Sequence, residues 1–326
     1  MYIGLLCPRP QAEIEQDLSY QLTEYAHSLA DFGSPLRLPY SQGHVLLRPI
    51  PGTSFVDAVG CYPLFACRNA AGLVQDLPVL REAGAVSLTL VTDPLGSFDP
   101  TILAAVFKPI ARRFKVHYLV DLTGEPEQLG SAHHQRDARR SARFAACEVC
   151  EDPASHYEQW SQLYDNLIAR HEIVGEAKFS PAAFRLQLGL PGVLLVRAVD
   201  AEQQVLGMQI WFADGKRSWH HLGAYSAAGY RASVSYGLTA CALKALTANG
   251  VQVANLGGGP SLSTDASDGL SRFKQGWSTH TSESWLCGAI LDPSAYAQLA
   301  ANRRTEFFPA YRGPLGRNSR PLQSCG

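Results

Sequence analysis

The sequence is short of lysine: six (Lys108, Lys115, Lys178, Lys216, Lys244 and Lys274) stand against 22 arginines in 326 residues. A lysine kept in a chain that otherwise uses arginine is a candidate for chemistry. Charge of one sign is missing too. Twenty-eight basic against 29 acidic side chains give a net charge of -1, which excludes the global field of a dedicated duplex-DNA binder and leaves only local patches. Long apolar runs are absent as well. Stretches such as Ala85 to Val91 and Val193 to Val196 fall far short of the roughly 18 residues that cross a bilayer, so no integral membrane association is expected. Residues Met1 to Pro8 carry no basic n-region, and Pro8 and Pro10 interrupt any signal core, so a cytoplasmic location is expected. Eight cysteines are too few for a disulfide scaffold at this length, which points to a reducing compartment. With 46% hydrophobic residues and 48 glycines plus prolines, the composition is globular. Disordered and fibrous classes are excluded, and at roughly 150 residues per domain the length suggests two units.

The first part alternates strand-like and helix-like segments. Gly43 to Ile50 is β-rich, Leu73 to Ala83 has helical spacing, and Ala85 to Thr92 is a buried-strand pattern closed by Asp93-Pro94. Pro100 to Phe114 reads as a helix opened by proline, and Lys115 to Leu122 as the returning strand. The polar, Gly- and Pro-containing stretch Thr123 to His134 reads as a linker, giving an N-terminal domain over 1–130 and a second over 131–300, followed by a basic tail over 301–326. The second unit opens with a basic helix, Gln135 to Ala146, a strand near Cys147 to Cys150 and a helix from Pro153 to Arg170. A meander follows: Val193 to Val199, Val205 to Phe212 and Ser218 to Tyr225. A strong helix spans Ser233 to Ala248, a short strand Val251 to Leu256, and a last strand about Ser284 to Leu291.

The most specific stretch is Asn255-Leu256-Gly257-Gly258-Gly259, followed by Gly269-Leu270-Ser271-Arg272-Phe273-Lys274-Gln275-Gly276-Trp277. Glycines directly after a strand let a ligand or a neighbouring backbone approach closely. Asp268 is placed to cap a helix starting near Gly269, which brings a cation beside the glycine floor. Arg136, Arg139, Arg140 and Arg143 recur at helical spacing and form a basic stripe. Arg303, Arg304, Arg312, Arg317 and Arg320 make the tail basic, and the tail reads as exposed. Cys147 and Cys150 form a CxxC, but in a strand their side chains face opposite ways, so no metal site is assigned. His133-His134 and His220-His221 read as surface or packing histidines whose members diverge. No Ser/His/Asp or Cys/His constellation suggests a covalent intermediate.

These motifs resemble those of the FemABX peptidyltransferases, whose signature runs strand, Gly-Gly, variable loop, Gly-Leu-x-x-Phe-Lys-x-x-Phe/Trp-Gly. The likeness covers roughly 131 to 292. Arg139-Arg140-Ser141-Ala142-Arg143-Phe144-Ala145 is similar to the opening of that family's second domain, and Tyr225 to Ala248 to its strand, Tyr-Arg turn and long helix. Ser278 replaces a frequent glycine, no inserted helical arm is present, and Gly60 to Phe65 and Thr92 to Gly96 have no counterpart among the peptidoglycan enzymes. The resemblance implies an α/β fold of tandem GNAT-like domains, with mixed sheets flanked by helices. It implies an aminoacyl or acyl transferase with no tightly bound cofactor, in which Lys274 stabilises developing negative charge. Donor or acceptor binding falls to Arg272, Phe273, Gly257, Gly258, Gly259, Tyr225, Tyr230, Arg231, Tyr236, Arg139 and Arg140. The implied donor is aminoacyl-tRNA, bound by its acceptor end, and the acceptor an amine of a peptidoglycan precursor or a small metabolite. Acyl-CoA is the alternative donor, and a non-catalytic protein that binds tRNA or a precursor the alternative class. Arg231-Ala232-Ser233-Val234-Ser235-Tyr236 lacks the glycines with which CoA users wrap the pyrophosphate, which favours the RNA ester.

Overall fold

The breakers read above set an alternation of short helices and strands. The computed structural model describes residues 19–107, 110–125, 128–172, 175, 178–259, 268–301, 303 and 305–313. After a 3-10 turn at Ser19–Gln21 come α1 (Thr23–Ser28), β1 (Ser34–Arg37), β2 (His44–Pro49), β3 (Val56–Gly60), α2 (Leu73–Glu82), β4 (Ala85–Val91), α3 (Pro100–Val106) and β5 (Ile110–Asp121). The chain continues with α4 (Ala132–Ser141), β6 (Ala146–Val149), α5 (Tyr157–His171), α6 (Pro181–Leu188), β7 (Val193–Val199), β8 (Val205–Asp214) and β9 (Arg217–Tyr225). Then follow α7 (Ala227–Arg231), α8 (Val234–Ala248), β10 (Val253–Gly258), α9 (Gly269–Trp277), β11 (His280–Ile290) and α10 (Pro293–Ala300).

All eleven strands join one mixed sheet in the order β1-β2-β3-β4-β11-β5-β10-β9-β8-β7-β6. The two halves interlock at its centre. β11, from the end of the chain, lies antiparallel to both β4 and β5, and β5 pairs on its other edge with β10. Adjacent residues of β8 show the two layers that cover the second half. Phe212 joins Trp160, Phe184 and Trp219 under α5 and α6, whereas Trp211 joins Leu238, Leu243 and Trp277 under α8 and α9. Side-chain alternation of period two makes both faces apolar, so both need helical cover. The first half packs Leu80 of α2 and Leu103 of α3 against Leu88 and Leu90 of β4.

The structure corrects several expectations. The helix expected over Pro100 to Phe114 ends at Val106, and β5 begins at Ile110. Pro109 has no N–H to donate and disfavours helical backbone at the residue before it, so Arg112, Arg113 and Phe114 belong to a strand. Arg113 there pairs with Glu283 across β11 at 3.0 Å. Helix α4 starts inside the expected linker because the Ser131 hydroxyl caps it, accepting from the His134 N–H at 3.3 Å. His133 and His134 are therefore helical rather than extended. The expected Tyr-Arg turn is the short helix α7, capped by Ser226, whose hydroxyl accepts from the Gly229 N–H at 3.0 Å. Cys147 and Cys150 do face opposite layers, one toward α8 and the other toward α5.

The described part of the C-terminal segment is docked, contrary to the expected exposed tail. Phe308 and Tyr311 are buried, Tyr311 against Ile50 and Val86. Arg312 forks onto Asp57 through Nε at 2.8 Å and Nη2 at 2.9 Å. The Arg303 guanidinium donates to the Gly313 carbonyl at 2.8 Å. Arg304, Arg317 and Arg320 lie outside the described residues. The two unmatched N-terminal stretches meet one another and the second half. The Phe65 N–H donates to the Val91 carbonyl, the Asp93 N–H to the Phe65 carbonyl, and the Arg217 guanidinium to the Leu95 carbonyl.

Candidate active site

β9 and β10 pair in parallel over only three residues each, Arg217 to Trp219 against Val253 to Asn255. β9 then runs on to Tyr225 and β10 to Gly258 without further pairing between them among the described residues. The sheet opens at this point. On its other edge β10 bulges between Asn255 and Gly258, which sets Gly258 opposite His117 of β5. Gly257 takes φ +84°, and a Cβ there would stand 3.0 Å from Lys274 Nζ. A side chain would thus be strained by the backbone and would crowd the cation.

Helix α9 delivers that cation. Asp268 caps it as expected, Oδ2 accepting from the Ser271 N–H at 2.7 Å. Lys274 Nζ donates to the Gly258 carbonyl at 2.6 Å. Lys115, one of the few other lysines, reaches in from β5 and donates to the Gly259 carbonyl at 3.1 Å. Burial and then the Lys115 charge pull the Lys274 ammonium down to about 8, against the pull of Asp268. Burial also lowers Lys115. Two ammonium groups therefore rest on consecutive backbone carbonyls, and among the described residues neither has an ion-pair partner.

Beneath them lies a polar row. Asn255 Oδ1 accepts from the Gly257 N–H at 2.8 Å and lies 3.1 Å from His117 Nδ1. Burial, with the charges of Lys274 and Lys115 behind it, lowers His117 to about 4 against its Asn255 hydrogen bond. Trp219, beside Asn255 in the ladder, donates Nε1–H to Asp93 Oδ1 at 3.0 Å. Burial raises the Asp93 carboxyl to about 6, although hydrogen bonds from Leu95 and Trp219 oppose it. His117, Lys115 and Asp93 carried no assignment in the sequence. The scarcity of lysine was the one signal that could have found Lys115.

The β9 side contributes Tyr225. Its hydroxyl accepts from Gln209 Nε2 at 3.0 Å, Gln209 also donates to Thr239 at 3.1 Å, and Trp211 donates to Gln209 Oε1 at 3.1 Å. Burial pushes the Tyr225 phenol up to about 12, so it stays protonated. Tyr230 stands edge-on to Tyr225 with ring centroids 5.4 Å apart, and the Arg170 guanidinium lies 4.3 Å over Tyr230. His220 shares this side, 4.8 Å ring to ring from Trp211, and burial lowers it to about 3.

The remaining sequence candidates lie around rather than in the opening. Phe273 and Tyr236 pack edge-on at 5.0 Å within a cluster completed by His134 and Trp277. His134 Nε2 lies 2.9 Å from the Phe273 carbonyl and so ties α4 to α9. Arg272, Arg231, Arg139 and Arg140 are exposed. Arg139 and Arg140 lie on α4, which packs against α8 and α9, and they make no ion pair among the described residues. The structure therefore joins Lys274 to the three glycines at the opening, sets Tyr225 at the end of the facing strand with Tyr230 of α7 against it, and leaves the arginines on the surface.

No protein-family profile matches the sequence, and no curated protein matches it. Solved structures do. FemX superposes with a TM-score of 0.62 at 12% identity, covering 89% of this chain and 95% of FemX. A C-terminal domain described as that of a lysylphosphatidylglycerol synthetase from Agrobacterium fabrum gives 0.60 at 18%, covering 85% and 89%. L-PGS from Bacillus licheniformis gives 0.55 at 13%, covering 84% and 92%. The chain shares its fold with FemX and with these two proteins, the fold that the resemblance of its motifs implied.

Proposed function

We propose that the opening between β9 and β10 is the transfer site of an aminoacyltransferase. Its donor is aminoacyl-tRNA, and its acceptor an amine on a peptidoglycan precursor or a small biosynthetic metabolite. One observation carries the reading: Lys274 Nζ lies where the sheet parts, on the Gly258 carbonyl, beside Lys115, and neither lysine has an ion-pair partner among the described residues. The acceptor amine adds to the ester carbonyl carbon, the C–N bond forms, and the C–O bond to the ribose breaks. The nitrogen loses one proton and the departing hydroxyl gains one. Lys274 stabilises the oxyanion formed on the way, a contribution of about 2.7–4 kcal/mol for a donor of this kind. The ester is already activated, so orienting the two substrates supplies much of the rest. The exposed arginines of α4 are suited to the tRNA backbone.

The test is incubation with labelled aminoacyl-tRNAs and, separately, labelled acyl-CoA, each with amine acceptors. Ribonuclease-sensitive incorporation supports this reading. Transfer from acyl-CoA alone replaces it with a CoA-dependent acyltransferase, and binding without transfer replaces it with a non-catalytic role.

A further inference from the structure

His117 is a buried titratable group to which the transfer reading gives no task. Two contacts fix its chemistry. The Gly257 N–H can only donate, so the Asn255 atom 2.8 Å away is the carbonyl oxygen Oδ1. The same oxygen lies 3.1 Å from His117 Nδ1. An oxygen cannot donate, so Nδ1 carries the hydrogen and Nε2 is left with its lone pair. Nε2 has no hydrogen-bond partner among the described residues and is not sealed from solvent, although His117 as a whole is 6% exposed. His117 stands opposite Gly258, whose carbonyl holds Lys274, and on the same strand face as Lys115, whose ammonium is held by Gly259. Ser282 faces it from β11.

We infer that His117 is the proton acceptor of the transfer step, and that Asn255 is the positioning residue that holds its tautomer. This rests on reading the opening as a transfer site. As the C–N bond forms and the C–O bond breaks, Nε2 takes the proton shed by the attacking nitrogen and returns it to the departing hydroxyl oxygen. The imidazole ends neutral, and no further reactant is consumed. Burial, and behind it the charges of Lys274 and Lys115, keeps the ring unprotonated between turnovers, because a third positive charge in this enclosed place is disfavoured. The other buried candidates are sealed. Asp93 is 1% exposed, and its Oδ1 is taken by Trp219 and Leu95. His220 Nε2 is fully enclosed.

Two measurements on the full chain test the inference. Long-range nitrogen–proton NMR of histidine-labelled protein should show His117 protonated at Nδ1 and bare at Nε2 from pH 5 to 8, with that preference lost in Asn255→Ala. An Nε2–H tautomer overturns the inference whatever the donor is. In transfer assays His117→Gln should lower kcat by about 10²–10⁴-fold with little change in KM, and exogenous imidazole should restore part of the rate to His117→Gly. A purely structural role gives no imidazole rescue, and that result, or an unchanged kcat, also overturns it. If the wild-type protein transfers from neither aminoacyl-tRNA nor acyl-CoA, the functional reading fails by itself, and the tautomer measurement decides whether the proton-accepting geometry exists.

Discussion

Asp57 on strand β3 and Lys274 on helix α9 are both charged side chains drawn in against the sheet, yet their surroundings differ. Asp57, 1% exposed, takes Arg48 at 3.1 Å, the Arg312 fork at 2.8 and 2.9 Å, and the Tyr311 hydroxyl at 3.3 Å. Tyr311 in turn meets Ser87 at 2.7 Å. Every lone pair is used, and the result ties the C-terminal segment to β3. Among the described residues Lys274 donates to one backbone carbonyl and feels the like charge of Lys115, with Asp268 pulling the other way without pairing. A buried charge that is fully paired holds structure together. One left, among the described residues, with spare donors next to a like charge costs stability, which is the pattern of a site built for a ligand rather than for the fold.

The contrast can be broken in four ways. Asp57→Ala should cost about 3 kcal/mol in denaturant unfolding, toward the low end for a broken buried pair because both arginines keep some exposure. A loss below about 1 kcal/mol would make the clasp ornamental. Asp93→Asn should stabilise the protein, with the sign set by linkage. The native carboxyl holds its proton to about pH 6 and the unfolded one to about 4, so between those values the native state binds more protons and stability falls as pH rises. Wild type and Asp93→Asn should match below pH 4 and separate by on the order of 3 kcal/mol by pH 7. Parallel curves would remove the assigned burial cost.

Smaller effects concern Lys274 and α4. The rate should hold below pH 8 and decline above it, because the ammonium is the active form and loses its proton near 8; a rate still rising at pH 9 contradicts that role. Arg139→Ala with Arg140→Ala should leave turnover at saturation intact and reduce the slope of log affinity for tRNA against log salt by about 1.5. An unchanged slope would dismiss the stripe as a tRNA contact.

What could be read from the sequence was local. The Gly257–Gly259 floor, the Asp268 cap and the lysine of α9 sit within one short stretch, and strand periodicity located β4, β7, β8 and β9 within a few residues. What escaped reading depends on contacts distant in the chain. Asp93 acquires meaning only from Trp219, 126 residues away, and His117 only from Asn255, 138 away. β3 went unread because the buried Asp57 interrupts its apolar pattern, and the docked tail because Arg312 looks like surface charge until Asp57 is placed beside it.

The most direct measurement is the rate of transfer from aminoacyl-tRNA by Lys274→Met, taken alongside its thermal unfolding. An open cluster reserved for catalysis predicts a loss of about 10²–10³-fold in turnover with stability unchanged or improved. Full turnover, or a rate loss that only follows unfolding, would contradict it.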